Sequence, residues 1–193
     1  MIKIYLVGVS DVGKSTIGEL LAKNLDFVFY DLDKEIERYF NSPIEYIQEK
    51  CWMGYGYREK TRVVLRKLLN KRENLVIASC PSGLRDNYLR EYKKSKGNKE
   101  DNLISVHIAD TPENILERIT FYDKESRLLN KKLNEKKKRL YLKEIKKDIT
   151  FFKKFNNRAD YEFNIEGLKL KDIPKMLIKF LESRNEEFKR YME

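Results

Sequence analysis

The feature that most constrains this chain lies at its start. The apolar run Ile2 to Val7 leads into Gly8, and Gly13-Lys14-Ser15 follow at the GxxxxGKS spacing, with a helical pattern taking over from Thr16. A strand, a glycine-rich loop and a helix in that order make a phosphate site. The glycines let backbone N–H groups turn toward phosphate oxygens, and the helix N-terminus adds partial positive charge. Lys14 reaches the terminal phosphates, and the Ser15 hydroxyl ligates a magnesium ion. Asp11, Val12 and Thr16 are counted among the nucleotide contacts with Gly8 and Gly13, and Arg118 joins them from further along the chain. The expected cofactors are ATP and Mg²⁺.

Periodicity and punctuation extend this start into an α/β chain. A strand over residues 2–7 is followed by a helix from Lys14 to about Asn24 and a second strand, "FVFYDLD". Ser42-Pro43 opens a helix with Pro in its first turn, and "YREKTRVVLRKLLNK" sets Val64, Leu65, Leu68 and Leu69 on one face. A third strand, "NLVIAS", breaks at "PSG" into another helical stretch. The loop "GNKED" precedes a fourth strand, "LISVHI", and Thr111-Pro112 opens the next helix. A polar stretch around residues 122–135 interrupts the pattern. After it come a basic helix, a fifth strand "YEFNI" and a C-terminal helix following Asp172. Strands alternating with helices predict a parallel five-stranded sheet covered on both faces, a three-layer P-loop fold with its binding edge at the C-terminal ends of the strands. The expectation is one domain over 1–193, with a lid and basic helix inserted at about 121–158.

Composition narrows the partners. The formal charge is +10, but it is concentrated: Lys124 to Arg158 holds 14 Lys plus Arg against 4 Asp plus Glu, leaving 27 against 27 elsewhere. Within that segment Leu142, Ile145, Ile149 and Phe152 recur at helical spacing. The segment is therefore either a docked helix with a solvated basic face or a cover for an anionic ligand, and nucleic acid is not the expected partner. Two cysteines, Cys51 and Cys80, are too few for a disulfide framework and lack metal-ligand spacing. The short N-terminal apolar run is neither a signal peptide nor a membrane span, so a cytoplasmic location is expected; a monomer is expected as well. His107, isolated in an apolar strand, is read as a satisfied structural residue.

Two acids close the second strand. Alternation would put Asp31 and Asp33 on one side of it, in the crevice beside the loop. One would hold Mg²⁺ while the other accepts a hydroxyl proton as that oxygen attacks the γ-phosphoryl group; alternatively Asp33 caps the helix that follows. The third strand ends without the acid that many other P-loop ATPases use for the metal.

With these residues in view the chain resembles the shikimate kinase family. The run "IYLVGVSDVGKSTIGELLAKNLDFVFYDLDKEIE" is similar to that family's opening, and "GYGYREKTRVVL" resembles the segment whose arginine binds the substrate carboxylate, which places Arg58 on that arginine. The resemblance implies that Asp33, Arg58 and Ser82 contact a small anionic substrate, with shikimate as the leading candidate, and that Ser15 and Asp31 hold the metal. Catalysis would rest on Lys14, Asp33 and Arg127. Several positions depart from the family pattern. Asp11 replaces a loop glycine, Cys80-Pro81-Ser82 replaces a three-glycine turn, and Thr61 stands where a glutamate steadies the substrate arginine. The lid motif is reduced to "SRLL", containing Arg127. Phe151 occupies the place of a second substrate arginine, with Lys153, Lys154 and Arg158 nearby. The expected activity is ATP- and Mg²⁺-dependent phosphoryl transfer to a hydroxyl of such a substrate. The alternatives are another hydroxylated acceptor or a nucleotide-binding regulator without kinase activity.

Overall fold

The computed structural model describes residues 1–193 apart from Trp52, Lys99 and Lys131 and the side chain of Met53. Lys99 of the expected "GNKED" loop and Lys131 of the basic segment therefore lie outside the described residues. The chain runs β1 (Ile2–Val7), α1 (Lys14–Leu25), β2 (Val28–Asp31), α2 (Leu32–Phe40), α3 (Ile44–Glu49), α4 (Met53–Leu69), β3 (Leu75–Ala78), α5 (Asp86–Lys96), β4 (Asn102–Ala109) and α6 (Pro112–Glu117). It continues through β5 (Phe121–Tyr122), β6 (Leu128–Leu129), α7 (Glu135–Asn156), β7 (Tyr161–Asn164), α8 (Ile173–Glu182) and α9 (Glu186–Met192).

Five parallel strands form one sheet in the order β2-β3-β1-β4-β7, with Tyr5 opposite Ile77 and Val7 opposite His107. Alternation along β1 sends Ile4 and Leu6 to one apolar layer, with Ile17, Leu21, Leu177 and Leu181. Tyr5 and Val7 go to the other, with Leu32, Ile36, Leu65 and Tyr88. Covered faces of this kind explain why the strands read as near-continuous apolar runs. From β1 the chain reaches one edge through α1 and β2, returns through β3, and crosses to β4 and β7 on the far side. The turn from β1 into α1 thus opens at the point where strand order reverses, the position that binds ligands in open α/β sheets.

Several boundaries differ from expectation for local reasons. The second strand stops at Asp31, because the Asp31 carboxylate accepts hydrogen bonds from the backbone N–H groups of Asp33 (3.1 Å) and Lys34 (3.3 Å) and starts α2 there. Asp33 therefore sits in the first turn of a helix, the shared-face strand argument does not apply to it, and the cap is Asp31 rather than Asp33. Pro43 occupies the cap position of α3 and not its first turn. The polar stretch contains the β5–β6 hairpin. The single expected C-terminal helix is two, since Asn185 caps α9 by accepting from the Phe188 N–H (2.8 Å) and Phe188 is fully buried. Among the described residues no helix is long and apolar enough to cross a membrane.

Candidate active site

The loop from Gly8 to Gly13 needs its glycines. Gly8 has φ +148°, and a Cβ there would stand 2.6 Å from the Ile108 carbonyl oxygen. Gly13 (φ +104°) starts α1 with no side-chain cap, leaving the first N–H groups of a 12-residue helix facing the crevice end of the sheet. Asp11 adopts φ +56°, the left-handed conformation a glycine takes easily. Its carboxylate accepts from the Thr120 N–H (3.2 Å) and hydroxyl (3.0 Å), which ties the acid to the turn after α6. Arg118 of that turn donates to the Val12 carbonyl (2.9 Å) and pairs with Asp110, so a guanidinium lies beside the loop. Lys14 is buried and donates to the Val9 carbonyl (2.7 Å). Burial lowers its pKa, and Asp33 opposes that shift.

Asp11, Gly13, Lys14, Asp110, Arg118 and Thr120 border a cavity of about 1240 Å³, which also takes in Ser15, Thr16, Asp31 and Asp33; Gly8 and Val12 shape the loop without lining it. The Ser15 hydroxyl donates to Asp31 Oδ2 at 2.6 Å, while Oδ1 of the same carboxylate caps α2. A hydroxyl and a carboxylate oxygen side by side are hard donors, and the pair fits a magnesium ion that keeps water and phosphate as its other ligands. A second cavity, about 580 Å³, opens beside the first and shares Ser10, Asp33, Gln48, Cys80 and Pro81 with it. Arg58, Ser82 and Arg85 line only the second. Asp33 thus stands at the junction, and its carboxyl is pushed up to about 6, first by burial and then by the Asp31 charge, with Lys14 opposing.

Arg58 is not a surface charge. It is buried, donates to Asp86 Oδ2 at 2.7 Å, and its Nε has no partner among the described residues. Asp86, which no sequence pattern singled out, is the acid that holds it, because Thr61 is committed elsewhere: its hydroxyl donates to the Tyr57 carbonyl (2.7 Å) and meets the Tyr88 hydroxyl at 2.6 Å. Cys80-Pro81-Ser82 still forms a tight turn, with Gly83 N–H donating to the Cys80 carbonyl and Arg85 N–H to the Ser82 carbonyl, both at 3.0 Å. Burial pushes the Cys80 thiol up to about 12, so it stays neutral. His107 is held by Glu162 (3.0 Å) and Asn156 (3.3 Å), and burial lowers its pKa, which suits the structural role read from its isolation.

Arg127 sits on the β5–β6 hairpin, largely exposed, with its guanidinium bonded to Asp123 and Glu125 at 2.9 Å each. It is not one of the residues lining either cavity; Asp123 and Ser126 of the same hairpin line the first. The hairpin is anchored across the cavity mouth by Ser126 to Glu37, Tyr46 to Glu125 and Lys124 to Glu49. Helix α7 docks through Ile145, with Ile149 and Phe152 half-buried, and keeps most of its lysines exposed.

Comparison with known proteins gives one consistent picture. The family model described as shikimate kinase matches residues 11–163. The shikimate kinase of Acinetobacter baumannii (strain AYE) is 37% identical over 140 residues, covering 72% of this chain and 73% of its own length. That of Chlorobium phaeobacteroides (strain BS1) is 42% identical over 84 residues, 44% of this chain and 41% of its length, so the chain spans less than half of that relative. Among solved structures, shikimate kinase from Acinetobacter baumannii in complex with shikimate superposes with a TM-score of 0.71 at 28% identity, covering 95% of this chain and 94% of that one. Since the family match runs from the phosphate loop through the last strand of the sheet, the chain belongs to the shikimate kinase family.

Proposed function

We propose that this chain transfers the γ-phosphoryl group of ATP to a hydroxyl of shikimate. The observation that carries the reading is the position of Asp33, a carboxylate with a pKa near 6 that borders both the phosphate-loop cavity and the cavity containing Arg58. ATP supplies the phosphoryl group, and Mg²⁺ held at Ser15 and Asp31 offsets charge on the phosphates. The chain's own residues do the positioning. The loop backbone and the uncapped start of α1 hold the phosphates, and the Lys14 ammonium stabilises charge that builds on them. Arg118, fixed on the Val12 carbonyl, flanks the nucleotide. Asp33, ionised at pH 7 yet basic enough to accept a proton, takes it from the attacking hydroxyl. Arg58 binds the substrate carboxylate, and Ser82 lies on the same cavity wall. The hairpin carrying Arg127 covers the site and limits water entry. The inserted segment 121–158 and the single-domain organisation fit this arrangement. So does a cytoplasmic location, where ATP and Mg²⁺ are at hand.

The test is ADP release from ATP and Mg²⁺ with shikimate and a panel of other hydroxylated acids and sugars. Saturable release with shikimate, well above the rest of the panel, is the expected result. Release with a different acceptor would move the proposal to that substrate, and nucleotide binding without release for any acceptor would overturn it in favour of a regulatory protein.

A further inference from the structure

We propose that Arg85 is the second guanidinium that binds the acceptor's carboxylate, brought in by the turn between β3 and α5 rather than by α7; the inference rests on the acceptor reading above. Arg58 and Arg85 both line the smaller cavity, and both donate to the same oxygen, Asp86 Oδ2, at 2.7 and 3.1 Å. Their two donor nitrogens are therefore at most 5.8 Å apart, the two bonds laid end to end. Among the described residues Asp86 is the only hydrogen-bond partner of either guanidinium, and the buried Nε of Arg58 has none. Each guanidinium carries five N–H donors and gives one to Asp86, and of the two Arg85 is the more open, with 29% of its side chain exposed. Two cations sharing one acid give this part of the cavity wall a local charge of about +1, with the Asp33 carboxylate apart from them at the junction with the larger cavity, and the planar forks suit a carboxylate.

The aromatic residues support this placement. Phe151 stands where the resemblance expects an arginine on α7, yet its ring and that of Phe155 lie 5.4 and 5.0 Å from Arg85 Cζ. They hold the incoming guanidinium by cation–π contact. The bases near Phe151 have other engagements: Arg158 donates to the Leu84 carbonyl (3.0 Å), and Lys154 lies over the same two rings. Neither these two nor Lys153 lines the cavity.

The experiment measures saturation with shikimate and with its uncharged methyl ester for the unaltered chain, Arg85→Ala, Arg85→Gln and Arg85→Lys, alongside melting temperatures and the KM for ATP. Losing one charge-assisted partner raises the KM for shikimate about 10- to 150-fold, with kcat and the KM for ATP within a few-fold. The ester, which lacks the charge, changes little, and Arg85→Lys recovers part of the loss. The Gln variant keeps the volume if the Ala variant folds poorly. An unchanged KM for shikimate, an equal loss for the ester, or a comparable loss seen only on replacing Lys153 or Lys154 would overturn the assignment. If the unaltered chain does not phosphorylate shikimate, the proposed function fails separately. Calorimetric titration with shikimate itself then decides: binding lost in Arg85→Ala upholds the assignment, while equal binding in both chains, or none in either, refutes it.

Discussion

Replacing Asp33 by Asn is expected to make this protein more stable and nearly inactive. The Asp33 carboxyl has a pKa of about 6 against an ordinary aspartate value of 3.8, raised first by burial and second by the charge of Asp31. Among the described contacts it accepts no hydrogen bond that Asn would lose. A native pKa above the unfolded one means that the folded state holds the proton more tightly. Stability is then highest below about pH 4, falls as pH rises through about 6, and stays reduced above that. At 1.36 kcal/mol per pH unit the two-unit gap costs the native state at most about 3 kcal/mol at pH 7 and about 1 kcal/mol at pH 4.5. Asp33 keeps some contact with solvent, which screens part of this, so about 1–3 kcal/mol is the range expected at pH 7. For a chain of this size each kcal/mol moves Tm by roughly 2–4 °C, giving a gain of about 2–12 °C for Asp33→Asn at pH 7 that shrinks toward pH 4.5. In parallel kcat should fall about 10²- to 10⁴-fold, with ATP affinity little changed and the acid limb of the pH–rate profile abolished. Thermal melts at the two pH values and a coupled ADP-release assay read all of this. A Tm that drops, or a gain of equal size at both pH values, would refute the desolvation argument. Collapse of ATP binding would place Asp33 in the metal site or the fold instead.

Lys14→Ala should cut phosphoryl transfer at least about 10²-fold, because no other ammonium is buried against the loop among the described residues; near-normal turnover in the ADP-release assay would sink the phosphate-site reading. Gly8→Ala should cost more than about 1 kcal/mol, seen as a lower Tm, since φ +148° and the Ile108 carbonyl 2.6 Å from the new Cβ leave it no relaxed position. At the other end of the sheet, Asp101→Ala removes the counter-ion of the buried Lys3 ammonium, 2.7 Å from Asp101 Oδ2, and leaves it the Leu69 carbonyl (2.6 Å). That change should cost about 3–5 kcal/mol, and the double change Lys3→Met, Asp101→Ala distinctly less, with kcat of the folded fraction unchanged in both.

The elements visible in the sequence were those whose signal is local. The Gly8 to Ser15 spacing, the apolar runs of β1, β3 and β4, and the Thr111-Pro112 start of α6 each depend on neighbours within a few residues, and each was found where expected. The elements that escaped depend on partners far along the chain. The β5–β6 hairpin has only two residues per strand and owes its position to anchors on α2 and α3, so no alternation was available to reveal it. The end of β2 differs from expectation because "YDLD" alternates like a strand, whereas the Asp31 carboxylate reaching two N–H groups ahead ends that alternation. Asp33 nevertheless arrives in the crevice. A helix that starts at the C-terminal edge of the sheet presents its first turn to the same space the strand would have reached.

On the substrate side the resemblance named Asp33, Arg58 and Ser82, which share one cavity, and the rest was legible only in what it lacks. Thr61 and Phe151 each remove a group that the resemblance calls for, and nothing in their surroundings in the sequence says what replaces it. The replacements are two consecutive residues, Arg85 and Asp86, at the mouth of a turn that Pro81 and Gly83 already make tight. Asp86 takes a left-handed φ of +47° there, and the resulting reversal lets one carboxylate oxygen meet Arg85 from its own turn and Arg58 from α4. Moving both groups to this turn has a physical consequence. The carboxylate clamp is fastened to β3 and α4 in the centre of the fold, with α7 contributing rings rather than the charge itself. The hairpin anchors at Glu37, Tyr46 and Glu49 act on the mouth of the phosphate-loop cavity. Weakening those anchors, for example by Lys124→Ala together with Tyr46→Phe, should therefore raise the KM for ATP or lower kcat several-fold while the KM for shikimate stays within about twofold. A parallel loss of shikimate affinity would mean that the clamp depends on closure of the hairpin after all.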